Sequence, residues 1–171
     1  MPENALKVAL IGCGRIAGYH CASIAEVDGV ELAAVCDLEE SKARAYAEEF
    51  SVPHFASYRR MSEKVPEIDI AAVITPSGMH FEHGMEMLEE HGKHLIMEKP
   101  TFMCPEQLDA AYAAAGRLQR KVYPVFQNRY NKAVQRVKRA LAEGDLGDIR
   151  VMAVRLRWCR PQRYYDLAPW R

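Results

Sequence analysis

Leu6-Lys7-Val8-Ala9-Leu10-Ile11 runs directly into Gly12-Cys13-Gly14-Arg15-Ile16-Ala17-Gly18. An apolar run that stops at glycine reads as a buried strand, and the segment behind it, Arg15 to Val27, carries Ile16, Ala17 and Ile24 at helical spacing. Glu31–Cys36 is the next apolar run and is closed by Asp37, after which Glu39–Phe50 reads as an Ala- and Glu-rich helix ended by Ser51, Val52 and Pro53. The pattern then repeats. Ile70–Ile74 is predicted as a strand, His80–His91 as a helix stopped by Gly92, His94–Met97 as a strand, Pro105–Lys121 as a helix, and Val122–Phe126 as a last strand. Strands alternating with helices of this length predict a parallel sheet covered on both faces, a doubly wound α/β fold.

The glycines have a chemistry as well as a place. Gly12-x-Gly14-x-x-x-Gly18 follows a strand and opens a helix, and Asp37 ends the second strand nineteen residues past Gly18. In that context Gly12 permits the tight turn and Gly14 lets backbone approach a diphosphate at the positive end of the helix. Gly18 is expected to allow close packing of helix on strand. Asp37 is expected to accept hydrogen bonds from the adenosine ribose hydroxyls, and its charge would repel a 2′-phosphate. The motif thus predicts a dinucleotide-binding Rossmann domain with NAD favoured over NADP, and Leu38, Glu39 and Glu40 offer no guanidinium for the extra phosphate. A helix-capping role for Asp37 stays open.

Composition is consistent with a globular protein: 171 residues, 49% hydrophobic and 27% charged. Five cysteines at 13, 21, 36, 104 and 159 contain no C-x-x-C pair, so reduced thiols are expected rather than disulfides or a zinc ribbon. His80, His83, His91 and His94 lack a carboxylate or thiolate at ligand spacing, and no metal is expected. The longest apolar runs fall far short of the roughly 20 residues of a membrane span, so a cytoplasmic protein without a membrane partner is expected.

Net charge is zero but divided: residues 1–100 hold nine Lys/Arg against seventeen Asp/Glu, and residues 101–171 hold fourteen against six. A basic end suggests an anionic partner or a solvated surface. From Lys132 the character also changes, with a basic amphipathic helix to Glu143, a turn region at Gly144–Gly147, and Ile149–Trp158 alternating apolar and basic residues. That alternation predicts a strand with one wet face, as at the start of an α+β second domain. The expected division is therefore 1–126, a nucleotide-binding domain, and 127–171, the incomplete beginning of a second one.

Glu98-Lys99-Pro100 closes a predicted strand at the edge where open α/β sheets bind ligands. A lysine there can bond a substrate hydroxyl and, once desolvated, help polarise it. The residues alone leave an ordinary surface lysine paired with Glu98 equally open.

Taken together, Gly12–Gly18, Asp37, Thr75-Pro76 with His80 four residues on, and Glu98-Lys99-Pro100 resemble the fingerprints of the Gfo/Idh/MocA oxidoreductases. The later Gln127-Asn128-Arg129-Tyr130-Asn131, Arg157 to Gln162 and Tyr164-Tyr165-Asp166 resemble one branch, the UDP-N-acetylglucosaminuronate 3-dehydrogenases of O-antigen lipopolysaccharide sugar biosynthesis. The resemblance implies hydride transfer from sugar C3 to nicotinamide, with Lys99 beside the reacting hydroxyl and Glu98 shaping the nicotinamide pocket. It implies that Gly12, Gly14, Arg15, Ile16, Gly18, Asp37, Thr75, Pro76, His80 and Gln127 line the NAD, with Trp170 and Arg171 reaching it from the second domain. Arg157, Arg160 and Arg163 could meet the pyrophosphate and carboxylate of a nucleotide-sugar acid, or lie in water.

Members of that family continue through a second domain that supplies an Asp and a His, and they are oligomeric. No histidine follows Lys99 here, so the general base is missing and the expectation is a truncated chain that binds NAD with little turnover. Alternatives are another sugar or inositol dehydrogenase of the same family, or a non-catalytic NAD-binding protein. Nucleic-acid binding is disfavoured, since no recognition motif accompanies the basic residues.

Overall fold

The computed structural model describes residues 5–167. Two compact units divide the chain, Met1–Val125 and Phe126–Arg171.

The first unit is built on β1 (Leu6–Ile11), α1 (Ala17–Glu26), β2 (Val30–Cys36), α2 (Glu40–Phe50), β3 (His54–Phe55), α3 (Tyr58–Lys64), β4 (Ile70–Val73), α4 (His80–Glu89), β5 (His94–Met97), α5 (Pro105–Arg117) and β6 (Val122–Pro124). All six strands are parallel, in the order β3-β2-β1-β4-β5-β6. Both sheet faces are covered, and the alternation of β1 shows how. Val8 and Leu10 point into a core with Ala17, Cys21 and Ile24 of α1 and Ala43 and Ala47 of α2. Ala9 and Ile11 point into the other, with Met61 of α3, Met87 and Leu88 of α4, and Ala114 and Ala115 of α5. A period of two with apolar residues at every position is what a strand buried on both sides requires.

Register fixes where the loops emerge. Ile11 pairs with Cys36 on one side and Val73 on the other, and Val73 pairs with Met97. Gly12, Asp37, Ile74 and Glu98 each follow one of these residues, so they leave the sheet in one row along its carboxyl edge. The strand order reverses between β1 and β4, and the crevice there is where open α/β sheets take ligands.

Predicted and observed elements agree in type over β1 to β6 where both exist, with ends shifted by a few residues. α1 begins at Ala17 rather than Arg15, because Gly14 to Ile16 form a turn in which the Ala17 N–H bonds the Gly14 carbonyl at 3.0 Å. β3 and α3 were not anticipated.

The second unit holds a 3-10 turn at Gln127–Tyr130, α6 (Lys132–Ala142) and α7 (Gln162–Asp166). The strand expected over Ile149–Trp158 is absent: that segment has no regular structure, and Val151, Val154 and Leu156 are 80–85% exposed. Alternation alone does not make a strand. Ladder partners are needed to satisfy its backbone, and the six strands of the sheet all lie in the first unit.

Candidate nucleotide site

β1 delivers Gly12 at a backbone angle that only glycine tolerates well, φ +104°. A Cβ there would lie 3.0 Å from the carbonyl carbon and oxygen of Ile74. Gly12 therefore lets the turn pass over the end of β4. Gly14 differs: a Cβ on it would meet nothing within 4 Å, so the surface beside it is open to a ligand. Gly18 does not play the part expected of it. A Cβ on it would meet only the Tyr46 side chain of α2, at an ordinary 3.5 Å, so this position faces the neighbouring helix rather than the strand. The glycine that admits helix to strand is Gly84 in α4, 3.1 Å from Met97 Cε of β5.

α1 is preceded by Ile16, with no side chain capping it and no acidic residue in its first turn. The N–H groups there keep their positive field for an external anion.

Asp37 braces this loop. Its Oδ2 accepts the Cys13 N–H at 2.7 Å and its Oδ1 the Glu39 N–H at 2.8 Å. It does not cap α2, whose cap position is Glu39 without a side-chain bond. A carboxylate has about four acceptor positions, so two remain for a diol. The cations on α2 are engaged elsewhere, Lys42 with Glu39 at 2.5 Å and Arg44 with Glu40 at 2.7 Å. Behind the loop, burial pushes the thiols of Cys13 and Cys36 up to about 12, with the Asp37 charge adding to the effect, so they stay neutral beside it.

The next turns along the edge are Thr75-Pro76 and Glu98-Lys99-Pro100. Thr75 is half-buried, Pro76 exposed, and Thr75 Oγ1 lies 3.1 Å from His83 Nδ1. Burial lowers the basicity of His83. The Tyr58 ring of α3 packs tilted against His83, with centroids 4.9 Å apart, and its hydroxyl donates to Glu86, which also holds Arg59.

Glu98 is 8% exposed. Burial is the largest influence on its carboxyl and opposes ionisation. His20 Nε2 at 3.0 Å and the Lys99 N–H at 2.9 Å nevertheless hold its pKa below the usual carboxylate value. Lys99 meets Glu98 through its main chain; among the described residues its ammonium makes no ion pair within 4 Å, and its side chain is exposed. The desolvation expected for Lys99 is therefore not supplied by this unit's own residues. The Lys99–Pro100 peptide is cis.

His80 also departs from its expected place. It is 1% exposed, and both ring nitrogens lie 2.8 Å from main-chain carbonyls, those of Thr75 and Pro100. It has no polar atom left for a cofactor and instead ties together two turns that do face the crevice. His20 was missed altogether. The sequence carries only half of the signal: a glutamate buried at a strand end demands a partner, but that His20 of α1 supplies it is decided by the fold.

In the second unit Gln127, Arg157, Arg160 and Arg163 are all exposed. The Arg160 guanidinium lies over the rings of Trp158 and Tyr164, 4.5 and 4.7 Å from their centroids. Trp170 and Arg171 lie outside the described residues.

Residues 6–126 match the oxidoreductase family with an NAD-binding Rossmann fold, Gfo/Idh/MocA. The chain belongs to that family. D-glucoside 3-dehydrogenase of Escherichia coli K12 is 32% identical over 93% of the chain, which corresponds to 46% of the relative. Among solved structures, the WlbA dehydrogenase of Chromobacterium violaceum, in complex with NADH and UDP-GlcNAcA, superposes with a TM-score of 0.92 at 35% identity, over all of this chain and 49% of that one. WlbA of Bordetella pertussis, with the same two ligands, gives 0.91 at 33% identity, over 98% of this chain and 51% of that one. The chain thus spans about half the length of these relatives. NAD is the cofactor of the Rossmann domain it carries. The residues present fit that group: an open surface at Gly14, an uncapped helix start, and an acidic residue with acceptor positions to spare.

Proposed function

We propose that this chain is the cofactor half of an NAD-dependent dehydrogenase that oxidises C3 of a nucleotide-activated N-acetylhexuronic acid, UDP-GlcNAcA or a close analogue. The observation that carries this reading is the likeness to WlbA across the basic second unit as well as the Rossmann domain, at 33–35% identity. NAD, when bound, accepts the hydride.

The chain's own residues do the rest. Gly12, Gly14, Arg15, Ile16 and Gly18 seat the diphosphate; Asp37 takes the adenosine ribose; Thr75, Pro76, Gln127 and Glu98 line the nicotinamide side. Lys99 stands beside the reacting hydroxyl and shares its proton. Arg157, Arg160 and Arg163 meet the substrate's pyrophosphate and carboxylate; the cation–π contacts of Arg160 with Trp158 and Tyr164 support its place there. Residues 127–171 begin the substrate and oligomerisation domain, and the whole protein is a cytoplasmic homo-oligomer serving lipopolysaccharide sugar synthesis. Among the described residues no helix is long and apolar enough to cross a membrane.

A second reading, oxidation of a simple glucoside at the same carbon, is favoured by the E. coli relative. The discriminating assay gives the product of the full coding frame a panel of UDP-sugars, glucosides and inositols with NAD, and follows reduced nicotinamide. Turnover of UDP-GlcNAcA above the others supports the proposal; preference for a neutral glucoside or inositol overturns it.

A further inference from the structure

His80 and the two carbonyls it faces form a device that neither the glycine loop nor the lysine motif explains. The ring belongs to the first turn of α4 and folds back on the loop leading into it, where the Met79 N–H already bonds the Pro76 carbonyl at 2.8 Å. One ring nitrogen meets the carbonyl of Thr75, the last residue before Pro76; the other meets that of Pro100, the residue after Lys99. A carbonyl oxygen only accepts, so whichever ring nitrogen carries the hydrogen donates to the carbonyl it faces. Phenylalanine would fill the same space and leave two buried acceptors unsatisfied; glutamine could donate to one carbonyl but would turn its own oxygen toward the other.

We propose that His80 is a positioning residue that fixes the Lys99 turn against the Thr75-Pro76 turn, so that the lysine is held in register with the cofactor-facing edge of β4. His20 secures the same turn from the opposite side through Glu98. The lysine-bearing segment is therefore clamped from α1 and from α4. The functional weight of the clamp rests on the role proposed for Lys99, but the clamp itself is testable without substrate or cofactor.

The test uses the whole 171-residue chain. With histidine side chains labelled in nitrogen-15, His80 is expected to show a slowly exchanging ring N–H, as a buried donor bonded to a main-chain carbonyl should. With lysines carrying carbon-13 methyl groups, and the Lys99 signal assigned by its loss in Lys99→Arg, His80→Gln is expected to shift that signal. His94→Gln, at the opposite end of β5, should leave it in place. A His80 ring N–H that exchanges as fast as those of exposed histidines overturns the proposal. So does a Lys99 signal that stays put in a His80→Gln chain that still unfolds cooperatively. If His80→Gln fails to fold, the ring-nitrogen measurement on the unaltered chain decides alone. Absence of turnover with UDP-sugars would remove the function proposed above and leave these two readouts untouched.

Discussion

Asp37 and Cys13 meet through one hydrogen bond, the Cys13 N–H to the Asp37 carboxylate at 2.7 Å. The acidic residue that ends the second strand is therefore also part of the glycine loop's own structure. Removing its charge should act twice, by loosening the loop and by losing the ribose contact. Asp37→Ala is expected to weaken NAD by about ten- to a hundredfold, the worth of one or two charge-assisted bonds. Asp37→Asn can still accept from Cys13 and should fall between Asp37→Ala and the unaltered chain. Calorimetric titration of the three chains checks the order.

Gly12 and Gly14 separate stability from binding. Gly12→Ala forces a positive φ on a residue with a Cβ and drives it into the Ile74 carbonyl, so a loss on the order of 2–4 kcal/mol is expected. Gly14→Ala meets nothing in the protein and should change stability by less than about 0.5 kcal/mol, yet lower NAD affinity by more than about tenfold. Urea midpoints and NAD titrations of the two variants should show opposite rankings.

Cysteine reactivity should divide two against three. Cys104 and Cys159 are exposed, while Cys13, Cys21 and Cys36 are buried, with thiols pushed by burial up to about 12, 11 and 12. A thiol reagent at mild alkaline pH should label two cysteines quickly and the other three only on unfolding. Rapid labelling of a third would show the glycine loop opening in the native state.

Acid stability should carry the mark of Glu86. Its bond from Arg59, ahead of the opposing effect of burial, holds its pKa at about 2 against an ordinary 4.5. A carboxylate depressed on folding stabilises above its unfolded value and loses that contribution as pH falls through the folded one, here from about 4.5 to about 2. Glu98, also depressed, acts in the same direction. Glu86→Gln should flatten the fall in melting temperature across that window and lower the melting temperature at neutral pH.

Much of this was legible in residues 6–37, where an apolar run, glycines at fixed offsets and an acid at the next strand end each require the others. β3 and α3 were not legible. A two-residue strand at His54–Phe55 has no periodicity to read, and α3 is seven residues of largely polar sequence held by Met61 and the Tyr58–Glu86 contact. Ile149–Trp158 failed in the opposite way: its alternation is clear, but a strand is defined by its neighbours, which local sequence does not contain. His80 and His20 were hidden because their partners are a main-chain carbonyl twenty residues away and a glutamate at the far strand end, contacts made by topology rather than spacing.

Paired titrations of the 171-residue chain with NAD and with NADP, in the same buffer, bear most directly on the crevice beside Gly14 and Asp37. Saturable binding of NAD at least about tenfold tighter than NADP, and lost in Gly14→Ala, is the expected result. No binding at millimolar NAD, or tighter binding of NADP, would contradict the account.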